Sequence, residues 1–388
     1  MKQPEKITKQ ISMEDSKLLR EAFMLSKKAE LINKNGPKNI GSTEDEAAKM
    51  FRDYENIWER IVEKYFDITV LSHMIEWDTN LNFTEVTLTI YPDSQICPDE
   101  QLKKIEEYRK ELGDFIKVED HGCTVTTFGK ENLSQGCQSC KNGTWWCVFV
   151  YGVCNMFCKF CPQSRDRNEV LAKRRMGGTH TGLLMEDKIY YDIHKDIFTG
   201  VSYSGGEPLL NLNRILELAN YISDGEKDVY QWIYTNGTLL TKGMLKQLKS
   251  AGINEIRFNL AATNFDPKII EKLYWVRENN LWTTVEIPSI PEVYKALVED
   301  GLLTKIPINQ LNLAEMQLMF PIHWASYVNG GSVVKYTTYH GFHPSDSWEI
   351  TYKILLAAKE ASIDYIINDC SAQAKYLQQM AKKVTNSC

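Results

Sequence analysis

Hydrophobic and polar residues follow two different rhythms along this chain, and the change falls near residue 130. In the first part, apolar residues recur at helical spacing in two stretches, and one run alternates apolar residues with Thr and Glu as a half-buried strand does. The predicted elements are helices at 14–33, 43–66 and Pro98–Leu112, and strands at Phe83–Tyr91 and Phe115–Phe128. Residues 1–130 are therefore predicted to form an α+β accessory region.

From Trp145 onward, short apolar runs alternate with helical stretches. The predicted strands are Cys147–Tyr151, Gly200–Ser204, Tyr230–Tyr234, Glu255–Leu260, Thr283–Ile287 and Gln310–Ala314. The predicted helices between them are Asn211–Ser223, Lys242–Ala251, Pro267–Asn279 and Pro291–Glu299. This alternation is typical of a parallel α/β sheet or barrel, in which functional residues gather at the carboxyl ends of the strands.

The rest of the chain is predicted to pack on this barrel as a short, mainly helical extension. Its predicted elements are a helix at Ser347–Ser362, a strand at Ile363–Ile367 and a final helix that ends near Lys383. The predicted domains are the accessory region at 1–130, a barrel with a preceding cysteine loop at 131–320, and the C-terminal extension at 321–388.

Composition sets limits on the partners of this chain. With 388 residues, 43% hydrophobic and 25% charged, the chain has the composition of an ordinary globular protein. A net charge of −6 gives no support for a nucleic-acid-binding surface, and no apolar run approaches the roughly 20 residues that cross a bilayer. The first residues lack the apolar segment of a secretory signal. We expect a cytoplasmic protein without a nucleic-acid or membrane partner.

Ten cysteines are unevenly distributed, with six between Cys137 and Cys161. In a reducing compartment, clustered cysteines are more often metal ligands than disulfide partners. Cys154, Cys158 and Cys161 form a C-x₃-C-x₂-C pattern directly after the first predicted barrel strand. Such a loop can direct three thiolates to one soft metal site and leave one position without a protein ligand. Spacing alone leaves two alternatives open, a structural zinc loop or three unrelated core cysteines.

A second motif, Ser204-Gly205-Gly206-Glu207-Pro208, follows the next predicted strand. Taken together and in this order, the two motifs resemble the radical S-adenosylmethionine (SAM) superfamily, over residues 145–314. The resemblance implies an α/β fold with a partial (βα)₆ barrel and one [4Fe-4S] cluster bound by the three cysteines. It also implies that SAM occupies the open iron site and is cleaved on reduction to a 5′-deoxyadenosyl radical and methionine.

Several further residues are candidates for binding SAM because they lie in these motifs or at strand ends. Glycines at the end of a strand let the backbone approach a ligand closely. Arg257 and Asn259 share one face of the fourth strand, where a buried arginine needs an anionic partner: a carboxylate of SAM or substrate, or Glu286 in a structural pair. The candidates are Phe160, Ser204, Gly205, Gly206, Glu207, Asn236, Arg257, Asn259 and Glu286. For Phe160, core packing is the alternative to a contact with the adenine.

A second group of cysteines precedes the triplet. Cys137 and Cys140 form a C-x₂-C pair, Cys147 follows seven residues later, and Cys370 ends the last predicted strand. A C-x₂-C pair is half of a common zinc or iron–sulfur site. We predict a possible second metal site at these four residues, either zinc or an auxiliary iron–sulfur cluster. A pair of inert thiols is the alternative.

The C-x₂-C pair, the triplet followed by Pro162, the segment Glu286-Ile-Pro-Ser-Ile-Pro and the late Cys370-Ser371 also resemble relatives of pyruvate formate-lyase activating enzyme. This narrower resemblance implies hydrogen abstraction from a C–H bond of a peptide or protein side chain, with an electron from a flavodoxin- or ferredoxin-type donor. A small amino-acid-like or nucleoside metabolite is the alternative substrate. A non-catalytic iron–sulfur protein that senses redox state is the alternative from another class.

Overall fold

The structure is a computed structural model that describes most of the second half of the chain and parts of the first. The described residues are 5–21, 74–79, 84–91, 98–162, 184–225, 227–318, 333–335 and 342–371, with single positions at 24, 57, 60, 61, 64, 65, 323, 326 and 327. The chain divides into two compact units, residues 1–95 with 164–172, and residues 96–163 with 173–388. This division falls before Ile96, whereas the predicted accessory region extends to residue 130.

The first unit contains a three-stranded antiparallel sheet. Its strands are β1 (Glu5–Gln10), β2 (Met74–Thr79) and β3 (Glu85–Tyr91), in the order β1-β3-β2. Of these, only β3 was predicted, because the polar strand β1 lacks a regular apolar alternation. Residues 13–21 are helical, and so are positions 57, 60, 61, 64 and 65. The remainder of the two predicted helices lies outside the described residues.

The second unit is built on a nine-stranded sheet in the order β4-β5-β14-β11-β10-β9-β8-β7-β6. Its strands are β4 (Lys117–Glu119), β5 (Thr124–Thr126), β6 (Trp145–Tyr151), β7 (Gly200–Gly205), β8 (Tyr230–Thr235), β9 (Ile253–Phe258), β10 (Trp282–Ser289), β11 (Gln310–Glu315) and β14 (Ile366–Cys370). A separate antiparallel pair joins β12 (Val333–Lys335) to β13 (Phe342–Pro344). The strands from β6 to β11, together with β14, are parallel.

The helices of this unit follow the predicted alternation with the strands. They are α1 (Pro98–Leu112), α2 (Gln135–Lys141), α3 (Leu184–His194), α4 (Leu212–Ser223), α5 (Lys242–Ser250), α6 (Pro267–Glu278), α7 (Pro291–Tyr294) and α8 (Ser345–Glu360). Side-chain caps fix the starts of α2, α5 and α6, and in α5 Thr241 Oγ1 accepts a hydrogen bond from the Met244 amide. Among the described residues, no helix is both long and apolar enough to cross a membrane.

The six predicted barrel strands are confirmed, and two other predictions need correction. The predicted strand Phe115–Phe128 is two short strands, because a turn at Asp120–Gly122 interrupts it and Asp120 adopts a φ of 50°. The last strand begins at Ile366 and not at Ile363, because Ser362 turns the chain at a φ of 51°. Ile363 lies before the strand, and its side chain packs into the hydrophobic core, which explains an apolar residue at this position.

The parallel sheet curves around the short helix α2. In a flat sheet, β6 and β11 would lie about 24 Å apart, at roughly 4.8 Å per strand. Helix α2 has seven residues and a length of about 10 Å. It nevertheless contacts β6, β7 and β8, and its Cys137 Sγ lies 3.0 Å from Nε2 of Gln310 on β11. The face that surrounds α2 is called the concave face below. This α/β arrangement of parallel strands is compatible with the predicted partial barrel.

Candidate active site on the concave face

The cysteine triplet occupies the loop that follows β6, as predicted. All three thiols are partly buried. Cys154 Sγ lies 3.4 Å from the amide nitrogen of Met156 and 3.9 Å from Nδ2 of Asn236. Burial raises the pKa of the Cys154 thiol to about 11. This thiol therefore needs a nearby positive charge, such as a metal ion, to ionise at neutral pH.

The Ser204–Pro208 turn lies against the start of this loop through backbone contacts. The amide of Glu207 donates to the carbonyl of Val153 at 2.8 Å. A Cβ at Gly206 would lie 2.1 Å from that same carbonyl oxygen, so only glycine fits there. Gly205 has a φ of 137°, which also favours glycine. The two glycines thus allow the turn and the cysteine loop to meet.

The Glu207 carboxylate connects the turn to the end of β8. It is 1% exposed, and burial raises its pKa above the ordinary value. Its Oε1 accepts hydrogen bonds from Thr235 Oγ1 at 2.8 Å and from the Leu209 amide at 3.2 Å. Its Oε2 accepts from the Asn236 amide at 2.8 Å. Both carboxylate oxygens are therefore used within the protein, and contact of Glu207 with SAM stays a prediction.

Asn236 extends this connection to the cysteine loop. Its Nδ2 donates to Oδ1 of Asn155 at 2.8 Å, and its Oδ1 accepts from the Thr238 amide at 2.9 Å. Asn155 Nδ2 in turn donates to Thr238 Oγ1 at 2.8 Å. The sequence indicated Thr235 and Asn236 but not Asn155 or Thr238. Small polar residues in loops form no sequence pattern from which their hydrogen-bond partners could be predicted.

The other predicted SAM ligands near this loop have local structural contacts. Phe160 packs against the main hydrophobic core. Asn259 caps the turn after β9, where its Oδ1 accepts from the Ala262 amide at 3.2 Å. Ser204 lies near the end of β7, paired in register with Phe149. Contacts of these residues with SAM remain predictions.

Arg257 lies at the centre of a buried ionic network farther along the concave face. Its Nε donates to Glu255 Oε1 at 2.7 Å, and its Nη1 donates to Glu286 Oε2 at 3.1 Å. Further bonds run from Nη1 to the Tyr234 hydroxyl at 3.1 Å and from Nη2 to Ser134 Oγ at 3.3 Å. The structure therefore shows the pairing of Arg257 with Glu286, and the guanidinium donors are engaged within the protein.

The four cysteines of the predicted second site all belong to the concave side of the sheet. Cys137, on α2, is buried and lies 3.3 Å from Nδ2 of Asn312, and Cys140 lies near enough to Tyr234 to interact electrostatically. Cys147 alternates along β6 with residues of the helix-facing core, and Cys370 pairs in register with Ala314. Which metal they bind, if any, stays a prediction.

No three His, Cys, Asp or Glu side chains within the described ranges are grouped as a preformed metal site, and this holds for the triplet as well. The fit of an iron–sulfur cluster to the loop rests on its donor set. Three thiols lie within eight residues of chain, their loop is fixed to β7 and β8, and an amide group of Asn236 approaches one sulfur. Soft thiolates and nearby hydrogen-bond donors suit an iron–sulfur cluster.

Residues 148–293 match the Radical SAM superfamily. This match covers β6 to α7, including the cysteine loop and the Ser204–Pro208 turn. These residues therefore form a radical SAM domain, and proteins of that superfamily are enzymes that use a [4Fe-4S] cluster and SAM. The alternative of a zinc-only structural loop is thereby disfavoured.

One relative has a more specific name than the superfamily. It is 26% identical over 284 residues to a Methanocaldococcus jannaschii protein provisionally named a glycyl-radical enzyme activating enzyme, covering 66% of this chain and 68% of that protein. The chain is thus similar, over about two thirds of its length, to a protein named as an activating enzyme.

Two solved structures show weaker likeness. SuiB from Streptococcus suis, bound to its precursor peptide SuiA, is 15% identical with a TM-score of 0.38, over 84% of this chain and 62% of SuiB. The methyltransferase TsrM from Kitasatospora setae, with tryptophan and a SAM analogue, is 13% identical with a TM-score of 0.33, over 58% of this chain and 51% of TsrM. At these scores the likeness carries no argument about this chain's substrate.

Proposed function

We propose that this enzyme abstracts a hydrogen atom from a C–H bond of a peptide or protein side chain. The observation that supports it is the similarity of 66% of the chain to a protein named as an activating enzyme for glycyl-radical enzymes. Activation of that kind abstracts hydrogen from the α-carbon of a glycine in a polypeptide, so the similarity supports a polypeptide substrate, and reaction at a side chain is a further part of the proposal. When bound, the cluster and SAM would supply the radical, and the protein would supply position and exclusion of water.

The described residues support a division of that work. Cys154, Cys158 and Cys161 would hold the cluster beside the Ser204–Pro208 turn. Gly206 and Glu207 keep that turn against the loop, and Glu207 and Asn236 join both to the end of β8. A substrate would then approach over the concave face, since the opposite face of the sheet is filled by the hydrophobic core.

The test uses the reconstituted protein with dithionite and SAM, with proteins and metabolites prepared from deuterium-grown cells of the source organism and separated by ultrafiltration. We expect 5′-deoxyadenosine to form, and to carry deuterium when the protein fraction is supplied. Deuterium transfer from the metabolite fraction alone would move the assignment to a small-molecule substrate. If no 5′-deoxyadenosine forms despite an intact cluster, the proposed reaction is wrong.

The reaction also needs a low-potential electron. We propose a flavodoxin- or ferredoxin-type donor and a reducing, cytoplasmic setting, in which cysteine thiols stay available to bind iron. Cys137, Cys140, Cys147 and Cys370 are proposed as ligands of a second metal site, either an auxiliary iron–sulfur cluster or zinc. Metal analysis of a variant that lacks the triplet would decide between them.

A further inference from the structure

His323 contacts the cysteine loop from a distant part of the chain. Its Nε2 lies 3.0 Å from the backbone carbonyl oxygen of Cys161, and the residue is only 1% exposed. His323 follows β11 in the sequence, whereas the loop follows β6, and β7 to β10 lie between these two strands in the sheet. His323 also lies outside residues 148–293, which match the superfamily. The contact therefore involves a residue to which that match assigns no role.

The chemistry of the carbonyl fixes the direction of this hydrogen bond. A carbonyl oxygen only accepts, so Nε2 of His323 carries the proton and donates it. The carbonyl belongs to the bond between Cys161 and Pro162, and Pro162 has no backbone N–H of its own. Replacing the imidazole by an apolar group would take a donor from a partly buried carbonyl, which is unfavourable.

The bond from His323 completes the support of the Cys161 backbone. The amide of Cys161 donates to the carbonyl of Cys158 at 3.2 Å, and its carbonyl accepts from His323. The backbone of this cysteine is therefore held on both sides of its Cα, which sets the direction in which the side chain leaves the backbone. Interactions of this kind orient metal ligands in proteins, although they do not touch the metal.

A second residue of the same part of the chain approaches the cysteine loop. Tyr327 is partly buried and packs against the main hydrophobic core. Burial raises the pKa of its hydroxyl, and the charges of Glu292 and Cys158 raise this pKa further. Tyr327 therefore lies within electrostatic range of Cys158, so the contact of His323 with Cys161 is accompanied by a second approach to the triplet.

We propose that His323 is a positioning residue for the catalytic cluster, because it holds the backbone of Cys161 where the thiolate can bind iron. The proposal rests on the proposed function, in which Cys154, Cys158 and Cys161 hold that cluster. Removal of a residue that orients a metal ligand typically lowers metal affinity by about 10- to 100-fold. We therefore expect the cluster to be less firmly bound when the donor of His323 is absent.

The test follows the loss of the cluster from the reconstituted protein when an iron chelator is added under anaerobic conditions. Samples taken over time are reduced and frozen with and without SAM, and their electron paramagnetic resonance spectra are recorded. The signal that changes when SAM is added reports the cluster with the open iron site, so iron bound at a second site does not contribute. This measurement needs neither a substrate nor turnover.

Two substitutions separate hydrogen-bond donation from the filling of space. His323→Met removes the donor and keeps a long side chain, and the SAM-sensitive signal should be lost about tenfold faster. His323→Gln keeps an N–H donor at a similar distance from the backbone, and it should restore the rate of loss to within about twofold of the unsubstituted protein. If His323→Met does not fold, His323→Asn takes its place, because its amide is too short to reach the carbonyl.

The matched control is another histidine that contacts a carbonyl. Nδ1 of His194 lies 2.9 Å from the carbonyl oxygen of Tyr190 within α3, and His194→Met should leave the rate of loss unchanged. Equal rates with and without the donor at position 323, no rescue by His323→Gln, or the same acceleration in His194→Met would overturn the proposal. A SAM-sensitive signal that persists in Cys158→Ala would overturn the assignment of the triplet, and this proposal with it.

Discussion

The two halves of the concave face are held together in different ways. In the loop half, β6 to β8 with the cysteine loop, the decisive contacts involve backbone atoms: the carbonyl of Val153 receives the Glu207 amide and lies against Gly206. The network half consists of β9, β10, β11, β14 and α2. There side chains make the contacts, with Arg257 at their centre.

This difference indicates which residue positions in each half can be substituted without disrupting its contacts. Backbone contacts depend on chain geometry, so the loop half constrains residue type mainly where a Cβ would clash. A side-chain network depends on every member, because removing one partner leaves a buried polar group without its bond. Residue type is therefore constrained at the glycines of the loop half and at every member of the side-chain network in the network half.

The sharpest test of this division compares one cysteine from each half. Cys158→Ala should abolish SAM cleavage, because it removes a proposed cluster ligand. Cys140→Ala, on α2, should leave SAM cleavage in place if the second site is auxiliary. Both are measured as 5′-deoxyadenosine formed and iron bound after reconstitution. Equal loss in the two variants would show that the cysteines do not divide between the halves as proposed.

The second test breaks the network half at its centre. Arg257→Met leaves Glu255 and Glu286 as partly or fully buried carboxylates without their cation. We expect a loss of about 3–5 kcal/mol in the free energy of unfolding, measured by chemical denaturation. Neutralising both carboxylates in the same chain should recover much of this loss. If it does not, packing of the guanidinium against Trp232, at 4.8 Å, outweighs its charge.

The matched control is an exposed ion pair. Lys295 and Asp300 lie 2.8 Å apart with both side chains more than half exposed. Lys295→Ala should leave the unfolding midpoint unchanged, because solvent screens exposed pairs.

The third test disturbs the loop half through its backbone. Gly206→Ala places a methyl group 2.1 Å from the carbonyl oxygen of Val153, so the turn or the loop must move. A displacement of about 1 Å near reacting groups lowers rates by roughly a hundredfold, which we expect for SAM cleavage. Gly243→Ala on α5 is the control, since its nearest neighbour would lie 3.8 Å away. Similar activity in both variants would mean that the contact does not position the loop.

Sequence patterns predicted the loop half more fully than the network half. The triplet and the Ser204–Pro208 turn are local motifs, and each follows a strand whose apolar run is easily read. The network half depends on register between distant strands, which no local pattern reveals. Arg257 and Glu286 were predicted as candidates. The hydrogen bonds of Asn312 to Glu286 and Asn368 were not, because they depend on β11 lying between β10 and β14 in register.

Helix α2 is a second case in which the sequence predicted the residues of a site but not their position in the fold. Its C-x₂-C pair predicted a metal site, whereas its position inside the curved sheet could not be predicted. That position requires Gly136, where a Cβ would lie 2.7 Å from Nη2 of Arg257. A single glycine in a short polar stretch resembles an ordinary turn, so the sequence gives no sign that a buried arginine lies against it.

The smallest expected effect concerns the side-chain contacts of the loop half. Asn155→Ala removes a partly buried hydrogen bond to Asn236 and an exposed one to Thr238. At this exposed residue each bond is worth about 0.5 kcal/mol, so the two together contribute about 1 kcal/mol, and KM for SAM should rise by less than about tenfold while iron content stays the same. Asn213→Ala, at an exposed position of α4, should change neither quantity. Loss of iron in Asn155→Ala would show that side chains, and not only backbone contacts, hold the loop in place, and the contrast between the two halves would then no longer hold.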